Sequence, residues 1–232
     1  MYGRAQKLAA EFIGTFTLIF IGCGSICAAR FLTSNGQTTL GLFGIAAAHG
    51  LAIGIMVTAL GHISGGHFNP AVTIGFWVTR KLSTLDSILY WFAQLAGATA
   101  AAYLLRALIP EEVWKAVWLG APDLARDVSR ISGVLLEGVL TFFLVFVVFA
   151  TAVDPRGAFN KVAGFAIGLT ITMDALLAGP FTGAMVNPAR AFGPELAAHH
   201  WPNAAVYWVG PLLGGVVAGA LYDTVFLRKD AS

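Results

Sequence analysis

Two copies of the tripeptide Asn-Pro-Ala interrupt an otherwise apolar chain. They are Asn69, Pro70, Ala71 and Asn187, Pro188, Ala189. Asn is a favoured helix N-cap and Pro a favoured first helical residue, so each tripeptide predicts the start of a helix. A helix N-terminus carries partial positive charge, and two such ends directed at one point favour a dipole or an anion and repel a cation.

The capping Asn side chains add hydrogen-bond donors to this centre. If each carboxamide oxygen accepts a bond from its own helix, each NH2 group is left to donate into the space between the two helix ends. A water molecule that accepts these bonds points its hydrogens away, which breaks the chain of donors and acceptors along which protons could move. The motifs therefore predict a centre that passes neutral solutes and excludes protons.

Arg190 is the third residue of the second predicted helix, where the helix dipole disfavours a cation. The matching residue after the first motif is Val72. An intramembrane charge is a candidate for function, here as a donor and a cation barrier one helical turn outward from the centre. A structural role, with the guanidinium bonded to loop carbonyls, is compatible with that barrier.

Three acids lie well inside apolar segments, away from the segment ends. Glu11 and Glu137 occupy matching places, and we expect them to be buried and to accept hydrogen bonds from irregular backbone next to the motifs. A proton relay is the alternative for this pair. Asp174 points toward a neighbouring segment, and the sequence names no partner for it.

The elements that carry these residues span a membrane. The chain has 57% hydrophobic and 11% charged residues and a mean hydropathy of +0.76. Segments of about 20 apolar residues, the length that crosses a ~30 Å hydrocarbon core, number six. They are residues 8–29, 40–60, 84–108, 131–153, 159–178 and 203–226. A net charge of +2 without a basic tract excludes a nucleic-acid partner.

The chain also repeats itself. EFIGTFTLIF, from Glu11, matches EGVLTFFLVF, from Glu137, and YWFAQLAG matches YWVGPLLG in the third and sixth segments. Each half therefore contains three spans and one short motif helix of ~15 Å, half of the hydrocarbon core. Because three is odd, the second half enters the membrane inverted. We expect one domain, residues 1–232, with repeats of about 1–109 and 131–226.

Orientation follows from the Lys and Arg residues near the segment ends. Eight lie on the side that holds both termini, and four lie on the opposite side. The positive-inside rule then places both termini in the cytoplasm. We expect an integral, multi-pass protein of the cell (inner) membrane.

The motifs HFNPAVTIG and MVNPARAFGP, within six spans and two half-helices, resemble those of the major intrinsic proteins, the aquaporin family. The resemblance covers essentially the whole chain. It implies an all-α membrane protein with six transmembrane helices and two re-entrant half-helices in an hourglass, assembled as a homotetramer in the lipid bilayer. It also implies passive passage of water and small uncharged solutes, without a cofactor.

The same resemblance places Arg190 in the family's aromatic/arginine selectivity filter, together with His49, Ala175 and Ala184. Strict water channels of the family have Phe at the place of His49 and His at the place of Ala175. The filter here looks closer to those of tonoplast intrinsic proteins and ammonia-conducting aquaporins. We therefore predict a wider pore that passes ammonia or hydrogen peroxide, although His49 could also be a packed core histidine.

No set of nucleophile, base and acid, no phosphate-binding loop and no metal-ligand cluster stands out, so neither an enzyme nor a metal site is predicted. The alternative to a channel is a coupled secondary transporter of a small solute, which inverted repeats and broken helices also suit.

Overall fold

The computed structural model describes residues 2–157 and 162–227. Helices account for 78% of this part of the chain. They are α1 (Arg4–Ser34), α2 (Gly41–Ser64), α3 (Pro70–Val78), α4 (Thr84–Leu108), α5 (Glu111–Ala116), α6 (Arg130–Val148), α7 (Ala163–Ala178), α8 (Pro188–Ala198) and α9 (Ala204–Leu221). A 3-10 turn at Trp118–Gly120 follows α5, and wider helical turns extend α6 to Val153 and α9 to Leu227.

The long helices coincide with the predicted spans. Five of them, α1, α2, α4, extended α6 and extended α9, are long and apolar enough to cross a membrane. The span predicted at 159–178 corresponds to α7, a predominantly apolar helix of 16 residues, about 24 Å long. The first three residues of that predicted span, 159–161, lie outside the described residues.

Local sequence explains where several helices begin and end. The hydroxyl oxygens of Ser83 and Ser129 cap α4 and α6 by accepting the N–H groups of residues three positions on. The C-terminus of α2 is Ser64, after which Gly65 has a φ of 96°, a left-handed conformation that glycine adopts readily. Helix α2 therefore ends at Ser64, and the irregular segment that leads to the first Asn-Pro-Ala motif begins there.

Small residues let the helix backbones approach closely. A Cβ on Gly168 of α7 would lie 2.4 Å from the carbonyl oxygen of Gly50 in α2. Corresponding contacts join α1 to α4 at Gly97 and α6 to α9 at Gly214, where a Cβ would lie 2.4 Å and 2.2 Å from a facing carbonyl oxygen. Such contacts are typical of helices packed in membranes.

The two short helices α3 and α8 are each packed against the opposite half of the chain. Helix α3 packs mainly on α9, whereas α8 packs mainly on α4. This exchange, together with the matched pairs α1–α4 and α6–α9, is the inverted repeat expected from the sequence. The fold is therefore an all-α membrane bundle with two re-entrant half-helices.

Large apolar side chains are exposed on the surface of the bundle, and several polar residues are buried inside it. Large side chains such as Phe43, Phe92 and Phe165 are about two-thirds exposed, at 69%, 68% and 67%. By contrast, Glu11 and Glu137 are completely buried. This inverted polarity is suited to hydrocarbon outside and to polar contacts within.

Candidate functional site

The Asn-Pro-Ala motifs form the N-termini of α3 and α8. The N–H of Ala71 donates to Oδ1 of Asn69 at 2.7 Å. Oδ1 of Asn187 accepts from the N–H groups of Ala189 and Arg190, at 3.0 and 3.3 Å. Both helices begin at Pro, with Asn at the cap, so the two positive helix ends are built as the sequence indicates.

Each capping Asn also bonds to the other half of the protein. Nδ2 of Asn69 donates to the carbonyl oxygen of Val186 at 2.8 Å, and Nδ2 of Asn187 donates to that of Phe68 at 2.9 Å. One of the two N–H bonds of each amide is thus used between the motifs. Only the second remains for the lumen, which corrects the expectation that the whole NH2 group donates there.

Glu11 ties the segment before α3 to two other helices. Its carboxyl oxygens accept the backbone N–H groups of His67 and Phe68, at 3.0 and 2.7 Å. They also accept Oγ of Ser64 at 2.6 Å and Nε2 of Gln94 at 2.8 Å. Four donors therefore surround one fully buried carboxyl group, and the irregular backbone is held in place.

Glu137 has the same place in the second half. Its oxygens accept Oγ1 of Thr182 at 2.6 Å and the N–H groups of Met185 and Val186, at 2.9 and 2.7 Å. Asp174 differs, because it is 1% exposed and neither of its oxygens has a hydrogen-bond partner within the described ranges. The structure thus names no partner for Asp174 either.

A cavity of about 330 Å³ runs between the two halves of the bundle. The six predicted pore positions that line it are His49, Asn69, Ala175, Ala184, Asn187 and Arg190. They come from α2, α7, α8 and the two segments that precede α3 and α8. Positions that are distant in sequence are therefore brought together around one space.

Arg190 is held by a loop carbonyl that the sequence did not single out. Its Nη1 donates to the carbonyl oxygen of Gly120 at 2.7 Å, and the residue is only 3% exposed. Gly120 has a φ of 74°, and a Cβ there would lie 2.8 Å from Cδ1 of Ile26. The loop after α5 has no periodic pattern, so no signal in the sequence pairs it with Arg190.

The other three predicted filter positions differ in size. His49 is 8% exposed, and its Nδ1 lies 2.8 Å from the carbonyl oxygen of Ile45. Its Nε2 is covered and has no partner among the residues the structure describes. Ala175 and Ala184 contribute only methyl groups. His49 is thus both packed in the wall and part of the cavity lining, so the two readings of this residue are compatible.

The repeat gives the predicted filter residues apolar counterparts. Asn69 and Asn187 occupy equivalent places in the two repeats and lie 118 residues apart. The same offset relates Val57 to Ala175 and His49 to Ile167. Val57, Val72 and Ile167 all line the cavity. No motif in the sequence singles out Val57 and Ile167 as lining residues, although the offset between the repeats relates them to Ala175 and His49.

The loop residues at the outer end pack through aromatic contacts. The rings of Trp118 and His200 are stacked, with centroids 4.4 Å apart and an interplanar angle of 8°. Burial lowers the pKa of His200, while Asp123 acts in the opposite direction. Within residues 2–157 and 162–227, no group of three or more His, Cys, Asp or Glu residues is arranged to hold a metal ion.

Comparison with known proteins agrees with this architecture. The pattern of the major intrinsic protein family matches residues 2–222. Aquaporin TIP4-4 of Zea mays is 44% identical over 230 residues, covering 98% of this chain and 89% of its own. Aquaporin TIP2-1 of Arabidopsis thaliana is 44% identical over 223 residues, covering 95% and 87%.

Among solved structures, the aquaglyceroporin from Plasmodium falciparum matches with a TM-score of 0.81 at 25% identity. The match covers 96% of this chain and 97% of that one. The Zea mays and Arabidopsis relatives are tonoplast intrinsic proteins, as the filter pattern suggested. They lend no support to the predicted cell (inner) membrane, whereas a multi-pass membrane location is shown.

Members of this family are channels and not enzymes, so the alternative of a coupled transporter loses its basis. With the matched fold, the paired half-helices and the family match over residues 2–222, the chain belongs to the major intrinsic protein (aquaporin) family and is a passive membrane channel for water and small solutes.

Proposed function

We propose that this channel passes ammonia and hydrogen peroxide as well as water, through a filter made by His49, Ala175, Ala184 and Arg190. The observation that carries the proposal is the lining of the cavity, where these four positions contribute one imidazole, one guanidinium and two methyl groups. Moving a small polar solute from water into the pore costs about 1–3 kcal/mol of free energy for a polar group that finds no hydrogen-bond partner there. The guanidinium of Arg190 can offset part of that loss by donating hydrogen bonds, and the alanines leave room.

Exclusion of ions and protons follows from the centre of the pore. The N-termini of α3 and α8 both direct partial positive charge at it, and the guanidinium of Arg190 adds a full charge further out. The second N–H of Asn69 and of Asn187 orients water there with its oxygen toward the motifs. A cation meets repulsion, and a proton meets a broken hydrogen-bond chain.

The buried acids have a structural role in this proposal. All hydrogen bonds to Glu11 and Glu137 come from donors in the re-entrant segments and adjacent helices. A proton relay would require a second titratable group next to each carboxyl group, whereas the groups that contact them are backbone N–H groups, hydroxyls and one amide, none of which ionises near neutral pH. The two repeats, about residues 1–109 and 131–226, form one channel domain that extends over residues 1–232.

Assembly and orientation complete the proposal. Family membership supports a homotetramer with one pore in each subunit, and the distribution of Lys and Arg supports cytoplasmic termini. Light scattering of the detergent-solubilised protein should give a protein mass four times that of the 24.4 kDa chain. A monomeric or dimeric mass would contradict the tetramer.

The filter is tested by measuring permeability in proteoliposomes to water, ammonia, hydrogen peroxide, urea and glycerol. Ala175→His should narrow the opening and lower ammonia permeability more than water permeability. Ala175→Ser is the matched control, because it adds a polar atom with little change in size. Wild-type protein that passes water but neither ammonia nor peroxide, or an unchanged ratio in Ala175→His, would rule the wider filter out.

A further inference from the structure

A glycine in the wall of α1 lies directly behind the filter histidine. Leu18 and Ile26 of α1 both line the cavity, and Gly22 lies midway between them, at the helical spacing that places all three on one face. A Cβ on Gly22 would lie 2.5 Å from both Cδ2 and Nε2 of His49 and 3.0 Å from Cε1. The imidazole ring therefore occupies the space where a side chain at position 22 would stand.

The His49 ring is also held by a contact within its own helix, α2. Nδ1 of His49 lies 2.8 Å from the carbonyl oxygen of Ile45. A carbonyl oxygen only accepts, so Nδ1 carries the proton and Nε2 is the unprotonated nitrogen of the neutral ring. One edge of the ring is thus anchored to α2, and the other rests on α1 at Gly22.

The repeat supplies an independent comparison. The shift of 126 residues that relates Glu11 to Glu137 relates Gly22 to Val148, and Val148 lines the cavity. The inner counterpart of His49 is Ile167. In the second repeat, the aliphatic Ile167 of α7 is accompanied by the side chain of Val148 in α6. In the first repeat, His49 of α2 is accompanied by Gly22 of α1, which has no side chain.

We infer that Gly22 sets the aperture of the filter by giving the His49 ring a place in the wall instead of in the lumen. This inference rests on the proposed filter and assigns to it a residue that makes no contact with solute itself. With a methyl group at position 22, the ring has to move by about 1 Å to restore an ordinary contact distance of ~3.5 Å. Gly22 shares a helix face with Leu18 and Ile26, which line the cavity, so a ring pushed away from α1 moves toward the lumen.

The test is a comparison of Gly22→Ala with Gly24→Ala in proteoliposomes. Gly24 lies on the same helix, and a Cβ there would meet only Cδ2 of Leu105, at 3.4 Å. We expect Gly22→Ala to lower ammonia and peroxide permeability roughly tenfold, which is about 1.4 kcal/mol in the barrier, and water permeability less. Gly24→Ala should stay within about twofold of wild type, and equal effects of the two variants would overturn the inference.

A double variant separates a positioning role from a general packing role. In a His49→Ala background no ring remains to be displaced, so adding Gly22→Ala should change no permeability further. An undiminished effect of Gly22→Ala in that background would overturn the inference. If Gly22→Ala alone fails to fold, the double variant should recover folded protein, and failure of both would overturn it as well.

Nitrogen NMR of the His49 ring distinguishes this inference from the proposed filter. The ring of the wild-type protein should show a protonated Nδ1, and its signals should shift in Gly22→Ala but not in Gly24→Ala. If His49→Ala leaves every permeability unchanged, the filter role of His49 is wrong, yet the ring signals still report whether Gly22 seats the ring. Ring signals that are identical in both glycine variants would overturn the inference that Gly22 positions the His49 ring.

Discussion

Replacing Glu137 by Gln tests whether the buried acids hold the re-entrant segments. Glu137 is fully buried, and its Oε1 accepts from Oγ1 of Thr182 and the N–H of Met185. Its Oε2 accepts from the N–H of Val186 at 2.7 Å. Gln has the same shape but only one oxygen, so its NH2 group must face at least one of these donors.

The expected loss can be worked out from these bonds. The hydroxyl of Thr182 can rotate to a new partner, but a backbone N–H cannot. Leaving one buried N–H without an acceptor costs about 1–3 kcal/mol. For a chain of 150–250 residues each 1 kcal/mol corresponds to ~2–4 °C in Tm, so Glu137→Gln should lower Tm by roughly 2–12 °C.

The channel should also lose activity. The carbonyl oxygen of Val186 accepts the amide of Asn69, so a loosened Val186 peptide disturbs the contact between the two motifs. We expect lower water permeability in proteoliposomes at equal protein content. Thermal unfolding of the detergent-solubilised protein, followed by intrinsic fluorescence, gives the stability change on the same preparation.

Glu195→Gln is the matched control. Glu195 is also completely buried, but neither of its oxygens has a hydrogen-bond partner in the described part of the chain. Glu195→Gln replaces a buried carboxyl group that has no hydrogen-bond partner by a neutral amide. No hydrogen bond is lost, so Tm should stay the same or rise. A Glu137→Gln protein as stable and as permeable as Glu195→Gln would refute the assignment of Glu137 as a structural acceptor.

Three further outcomes are expected. Asn69→Ala should lose about 0.5–2 kcal/mol of stability with the helix cap, whereas Asn69→Ser keeps a capping oxygen and lacks the amide donor; equal Tm values in both variants would contradict the capping role. Arg190→Ala should retain the fold and admit larger or cationic solutes, measured as ion conductance in planar bilayers, and unaltered selectivity would count against the barrier. Hydrogen bonds from Arg156 lower the pKa of Asp154 to about 2, so this contact stabilises the protein above pH ~4 and is lost as the pH falls toward 2; Asp154→Asn should remove that pH dependence of Tm.

The features that the sequence alone determined are the helix starts at the two motifs, the membrane spans and the inverted repeat. A helix cap depends on a few neighbouring residues, so Asn69 and Asn187 located the starts of α3 and α8 within one position. A membrane span depends on the length of an apolar run, which is why 84–108 coincides with α4. The inverted repeat followed from matched segments and an odd number of spans. None of these conclusions needs knowledge of a distant contact.

Tertiary structure decided the contacts between residues that are far apart in the chain. The amide of Asn69 reaches the carbonyl of Val186, 117 residues away, and Arg190 reaches Gly120, 70 residues away. Backbone carbonyls are present at every residue, so side-chain identity cannot indicate which of them a donor will meet. The seat of the His49 ring on Gly22 is likewise hidden in the sequence, because an absent side chain has meaning only once the neighbouring helix is placed.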